Sequence, residues 1–548
     1  MRKTLAVAVL FAATTSLSAQ SLTEKIDVSL VNVDVTVTSH GGPARGLTRD
    51  DFEILEDGVP QSITNFYAIE NARGKTIVAT PSTAAAASVP PAALDERFRR
   101  KVLVIIDNRH MSIHNRDVAL AKLEQLINDR FVSGSYDWSV AMIGERVHLL
   151  LPLTSDKERI HGALAEIRKV AAGPSLRDAF QIENRTAPIF DNPIIESIKL
   201  GSISNSGVNA LIEQSNLLQT ATDAATTYTC VLEAARSFAN APGRKIILLM
   251  TGGFSEDENA LFSSDPALST QRNATIAMLR SWLVREANAS DVSISVINVE
   301  GLIPNNIGAD SRGPNFNGAA FASPYGGVRS SVSSSSGSFY WMARQTGGQS
   351  FTGNFVDKSL RDFDVASSNF YSLAYRPSHP EDDKYHSITV SLKAPGRYSL
   401  SYRNGYSSLP IEEQIERAMR STMAADMQPS AIPLNLTTGT ATAADVPGAV
   451  LVPLFATVQA KELQFVPTNT GSVARVDIFV SVFNDSGRLI RTFRTVREAH
   501  AKSGTEGDGN FVASHALRLR KGAPYRLVVA IHDQVSDAVG IKSEVVRF

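Results

Sequence analysis

Two short segments of this 548-residue chain hold the side chains best placed to bind a ligand. Asp107, Arg109, His110, Met111 and Ser112 form the first, and Thr251 and Gly252 the second. Each follows an apolar run (101–106 and 245–250) of the kind a parallel strand buried on both faces requires. In an open parallel sheet, ligands sit beyond the carboxyl ends of the strands, where these residues fall. Asp107 supplies a hard oxygen ligand for a divalent cation, or an anion for Arg109 to pair with. His110 and His114 suggest a softer metal, but the sequence supplies no third or fourth ligand beside them, so a loop-packing or surface role is expected.

Enzyme signatures are missing from the sequence. Gly74-Lys75-Thr76 resembles the end of a phosphate loop, yet Ile69 stands where its first glycine belongs. Gly252-Gly253-Phe254-Ser255-Glu256 is not a nucleophile elbow, because the serine is displaced and the last glycine is absent. No His-Glu-x-x-His occurs. Thr346-Gly347-Gly348 reads as a turn between helix and strand, with Tyr340, Trp341 and Phe351 around it expected in the core.

The elements around these segments predict a multidomain chain, α/β in the middle and all-β at both ends. Residues 26–38 alternate apolar and polar, as a strand with one buried face does, and 63–69 follows as another; together 25–70 reads as an N-terminal β module. An Ala/Pro/Ser/Thr-rich stretch, 71–98, reads as a flexible linker. From 99 to 369 strands alternate with helices, predicting a doubly wound, mostly parallel sheet, interrupted by insertions at 171–220 and 302–337. Helices are expected over 115–131, 156–170, 226–239 and 270–289. Period-2 patterning returns over 370–407 as a β extension, 408–430 reads as a helical linker, and 431–548 as a β-sandwich.

In its order of elements this α/β region resembles a von Willebrand factor A domain. In detail it is similar to the secreted VWFA-related domain family of acidobacteria. Four segments carry the likeness: LTRDDFEILEDG at 47–58, IIDNRHMS at 105–112, PGRKIILLMTGGF at 242–254, and TGG at 346–348 through FYSLAYRP at 370–377 to YRNGY at 402–406. The resemblance covers about 25–407. It implies a Mg²⁺ site made by an Asp-x-Ser-x-Ser loop after the first strand, a distant threonine, and an aspartate after the fourth strand. This chain keeps Asp107 but has Arg109 and Met111 at the serine positions, and Thr251-Gly252-Gly253 in place of Thr-Asp-Gly. Thr226 is the nearest candidate for the distant threonine. The expectation is therefore no cofactor, with Mg²⁺ absent and Arg109 pairing with Asp107 to lock the loop.

Composition bounds the rest. The apolar fraction of 43%, the charged fraction of 20% and the net charge of −1 describe an ordinary globular protein without a basic stripe, which argues against nucleic acid as a partner. The single cysteine, Cys230, allows no intrachain disulfide and reads as a core residue. Residues 1–20 have the basic start, short apolar run and small residues ending at Ala19 of an export signal, and no cysteine follows to carry a lipid. The expected protein is secreted or periplasmic, without a later membrane span, and binds an unidentified envelope or extracellular protein as a non-catalytic adhesion or scaffold module. An envelope-assembly subunit is the alternative, and an enzyme with an unrecognised site a more distant one.

Overall fold

The computed structural model describes residues 30–70, 77–78, 99–130, 136–172, 224–239, 243–253, 266–300, 337–353, 355–377, 379, 382, 384–393, 395–425, 431–468, 471–484, 488–502, 504 and 507–547. The export segment and nearly all of both insertions lie outside them, as does all of the 71–98 linker except Ile77–Val78, which pairs with Tyr67 and Ala68.

Among the described residues the chain is mixed α/β and rich in strands, with one largely parallel sheet and four antiparallel ones. The parallel sheet has six strands in the spatial order Ser350–Thr352, Val292–Asn298, Arg244–Thr251, Arg100–Asp107, Tyr136–Ile143, Val147–Thr154. Every neighbouring pair is parallel except the last, which is antiparallel. The two apolar runs are its centre, and Arg100–Asp107 and Arg244–Thr251 are buried at every position.

Successive side chains of these strands face opposite layers, so each strand needs apolar residues at odd and even positions alike. Leu103, Ile105, Ile247 and Leu249 pack on one side with Leu232 and Phe238 of a helix at 224–238 and Leu283 of Pro266–Ala289. Val102, Val104, Ile246 and Leu248 pack on the other with Leu120 and Leu123 of Ile113–Arg130, Ile160 of Lys157–Arg168, and Phe363 of Val356–Ser368. Asp156 caps its helix by accepting from Arg159 N at 3.0 Å. The helices at 337–345 and Val356–Ser368 are additions to the sequence reading.

The β module at 25–70 and the β extension at 370–407, read as separate segments, share their sheets. Val31–Ser39 pairs with Phe370–Tyr375 and Ser399–Ser401, Ile63–Ile69 also pairs with Phe370–Tyr375, and Phe52–Glu56 pairs with Tyr385–Leu392. Their facing layers enclose one core that includes Val33, Val35, Ile54, Phe66, Leu373 and Val390. This unit meets the amino ends of the parallel strands through a buried polar layer. There Arg244 lies 3.4 Å from Asp34 with its guanidinium over the Phe370 ring, and Tyr136 donates to Asp364 at 2.6 Å. Burial pulls the Arg244 pKa down although Asp34 opposes it, and burial raises that of Asp34.

Residues 431–547 form two antiparallel sheets with a common core, including Val452, Leu454 and Leu517 from one and Val476, Val480 and Leu527 from the other. The helix Ile411–Ala425 is no free linker. Ile415, Ala418 and Met419 pack on Phe479, Phe483 and Val528, on the outer face of the five-stranded sheet. Arg417 on the same helix reaches Glu286 of Pro266–Ala289 at 3.1 Å.

Candidate functional site

The chain turns immediately after Arg100–Asp107. Asn108 N donates to Ile106 O at 3.0 Å and His110 N to Asp107 O at 3.3 Å, which folds His110 back over the strand end. Asp107 is fully buried, and its Oδ2 accepts from Thr251 Oγ1 at 2.8 Å and lies 2.8 Å from His110 Nδ1. A carboxylate accepts only, so Nδ1 carries the hydrogen in this pair. Thr251 Oγ1 in turn accepts from Gly253 N at 3.1 Å. Asp107 Oδ1 makes no hydrogen bond among the described residues.

His110, and not the expected Arg109, is therefore the cation beside Asp107 when protonated. The Arg109 guanidinium reaches across to Gly144 O at 3.5 Å, in the loop joining Tyr136–Ile143 to the edge strand Val147–Thr154. Met111 is fully buried among the residues beneath Ile113–Arg130. Ser112 Oγ accepts from Asn115 N at 3.2 Å, capping that helix. His114 is exposed on its first turn.

Three further polar residues surround the expected ones. Thr227 Oγ1 lies 3.4 Å from His110 Nδ1, so Thr227 faces the site from the helix where Thr226 was expected to do so. Glu300 follows the strand Val292–Asn298, and its carboxylate accepts from Ser112 N at 3.4 Å and Asn115 Nδ2 at 2.5 Å. Arg116, 1% exposed, donates to Asn108 Oδ1 at 2.9 Å and Val170 O at 2.6 Å, tying the loop to the end of the neighbouring helix. Glu300 had a legible signal, a carboxylate just past a buried strand. Thr227 and Arg116 had none, since the face of a helix that meets a loop depends on how the helix is set down.

Gly252 has a steric cause. A Cβ there would lie 1.9 Å from His110 O and 2.8 Å from Glu300 Cγ. The aspartate that the family resemblance leads one to look for has no room once the first loop folds over the strand ends. The residues present do not fit Mg²⁺. One aspartate oxygen is taken by a hydroxyl and an imidazole, Met111 offers a weak thioether pointed into the core, and the second carboxylate is sterically barred.

Comparison with known proteins gives distant likenesses only. No family model matches the chain, and no curated protein does. Among solved structures, proximal thread matrix protein 1 from the mussel byssus is 12% identical over 52% of this chain and 50% of its own, with a TM-score of 0.24. An aerotolerance-related membrane protein from Bacteroides fragilis is 13% identical over 49% of this chain and 98% of its own, also at 0.24. A β-glucuronidase of Bacteroides uniformis is 9% identical over 33% of this chain and 19% of its own, at 0.15. The chain thus spans between a fifth and a half of the glucuronidase and byssus-protein chains it is aligned with.

Elsewhere two sequence readings change or sharpen. Tyr340 and Trp341 are exposed, not core, with Arg344 donating to the Tyr340 hydroxyl at 3.0 Å and Arg280 stacked over Trp341. Cys230 is buried as expected, and burial pushes its thiol up to about 12, which keeps it protonated and unreactive. No helix among the described residues is long and apolar enough to cross a membrane.

Proposed function

We propose that this chain is a non-catalytic protein-interaction module built on a von Willebrand factor A-like, doubly wound domain whose metal position is closed by His110. The observation that carries the reading is the order of the parallel sheet. Numbered along the chain, its strands run 6-5-4-1-2-3 with the third antiparallel and helices on both faces. The first and fourth strands are neighbours at the point where the order reverses, and Asp107 and Thr251 end those two strands. At such a switch point ligands bind. Here the edge is lined by a closed Asp107–His110–Thr251 cluster with Arg109 and Glu300 at its rim, which favours a polar protein surface over an ion. Export to the periplasm or beyond belongs to this reading and rests on residues 1–20.

A photo-crosslinking amino acid at Arg109, compared with one at Glu158 on the flank of the domain, tests it. The reading expects one defined protein adduct from envelope or culture fractions with the probe at position 109 and none at 158. No adduct at 109, or the same adducts at both positions, would overturn it. Calorimetric titration with Mg²⁺ tests the metal-free part: saturable micromolar binding that disappears in Asp107→Ala would show a working metal site instead.

A further inference from the structure

We propose that Glu56, His379 and His386 form a zinc-binding site in the N-terminal β unit. This goes beyond the interaction reading and does not depend on it. The site is built by strand pairing between segments more than 300 residues apart. Glu56 ends the strand Phe52–Glu56 and is paired with Ile388, two residues along from His386, while His386 itself pairs with Tyr406 on the next strand. Glu56 is 3% and His386 6% exposed, whereas the His379 side chain is 24% exposed and opens the cluster to solvent.

One ligand atom from each of Glu56, His379 and His386 lies within 4.8 Å of the other two. Zinc bonds to imidazole and carboxylate of about 2.0–2.2 Å in a tetrahedron put ligand atoms about 3.3–3.5 Å apart. Glu56 Oε1 and His379 Nε2 stand 3.2 Å apart, while the His379 and His386 rings are stacked with centroids 3.9 Å apart, so the partly exposed His379 ring must turn out of the stack for both in-plane lone pairs to reach one ion.

The surroundings point to a cation. Asp57 Oδ1 accepts from Ser387 N at 2.8 Å and Ser387 Oγ at 2.9 Å, which fixes its Oδ2 against His386 Nδ1 at 2.8 Å. That contact holds the hydrogen on Nδ1 and turns the lone pair of Nε2 outward, the carboxylate–histidine arrangement that supports metal-bound imidazoles. Nε2 in turn faces Asp382 Oδ1 at 3.0 Å. Between a neutral imidazole nitrogen and a carboxylate oxygen this close, either a proton or a metal ion must sit. Glu56 Oε2 is buried and makes no hydrogen bond of normal geometry to a described residue, although the Tyr375 hydroxyl interacts with the same carboxylate. Tyr406 donates to Glu56 Oε1. Two imidazoles with carboxylates are a donor set suited to Zn²⁺ more than to Mg²⁺ or Ca²⁺.

The experiment uses the full chain without a polyhistidine tag, stripped with chelator, dialysed against Zn²⁺ and assayed by elemental analysis, with Co²⁺ as an optical probe. One Zn²⁺ per chain and a tetrahedral Co²⁺ visible band are expected, with binding weakened at least about tenfold in His379→Ala and in His386→Ala. Asp107→Ala should bind as the parent does. His379→Ala, partly exposed, guards against a folding artefact, and far-ultraviolet circular dichroism checks every variant. No bound zinc in the folded parent, or binding as tight as the parent's in both histidine variants, would overturn the site.

Discussion

His110 Nδ1 stands 2.8 Å from Asp107 Oδ2, with the carboxylate completely buried beneath it. The loop after Arg100–Asp107 is folded over the strand end by its own histidine. Replacing His110 by Ala leaves the buried Asp107 with Thr251 Oγ1 as its remaining partner. A buried acceptor deprived of a partner costs about 1–3 kcal/mol. The melting temperature of the parallel-sheet domain should fall accordingly, while Asp107→Asn with His110 retained should fall less. Equal melting temperatures for His110→Ala and the parent would show that the pair is not structural.

Gly252→Ala should be the most disruptive small substitution at this edge. Its methyl group would enter the space of the His110 carbonyl, a backbone atom that moves only if the whole turn moves. Overpacking of this kind costs about 1–3 kcal/mol. Denaturant titration should show a loss in that range, and Gly253→Ala a loss from its positive φ of 85° instead. An unchanged midpoint for Gly252→Ala would mean that the two loops can separate freely.

At the opposite end of the sheet, Arg244 joins Asp34, Thr36 and the carbonyl of Ser367. Arg244→Ala removes the cation and leaves a partly buried carboxylate without its main partner. Because Asp34 is partly exposed, the loss should fall below the about 3–5 kcal/mol of a fully buried pair. Loosening should be local, seen as faster hydrogen exchange in Val31–Ser39 and Arg244–Thr251 and not in the C-terminal sandwich. Uniform exchange across the chain would contradict the assignment.

In the sandwich, His532 is set between Asp477 and Asp537, at 3.1 and 3.2 Å, with Gln534 and Arg494 also on Asp477. Burial alone lowers the His532 pKa, but the two carboxylate hydrogen bonds outweigh it and the net shift is upward. A raised histidine pKa adds stability that is complete below the unfolded value of about 6.5 and is lost as pH rises through the folded value. The sandwich should therefore melt higher at pH 5.5 than at pH 8.5 by more in the parent than in His532→Gln. The same pH dependence in both would remove His532 as its source.

The histidines show why only part of the site was legible. His110 lies three residues from Asp107, so its presence near the strand end could be read directly, but its role could not. Arg109 looked the better partner because charge is visible in a sequence and loop direction is not. The turn at Asn108 and His110 points one side chain at the carboxylate and the next across to Gly144. Glu56, His379 and His386 gave no combined signal at all, being spread over residues 56 to 386.

Sequence alone determined the two central strands, Arg100–Asp107 and Arg244–Thr251, because a strand covered on both faces must be apolar at consecutive positions. It also determined the alternating strands of the sandwich, where one face meets the core and the other solvent, and the absence of the Asp-x-Ser-x-Ser and Thr-Asp-Gly ligands. Tertiary structure decided which strands pair. Val31–Ser39 crosses more than 300 residues to lie beside Phe370–Tyr375, joined by backbone hydrogen bonds that carry no side-chain code. It decided, too, that Gly252 must stay a glycine and that a buried glutamate meets two histidines, since both follow from distances between segments that are remote along the chain.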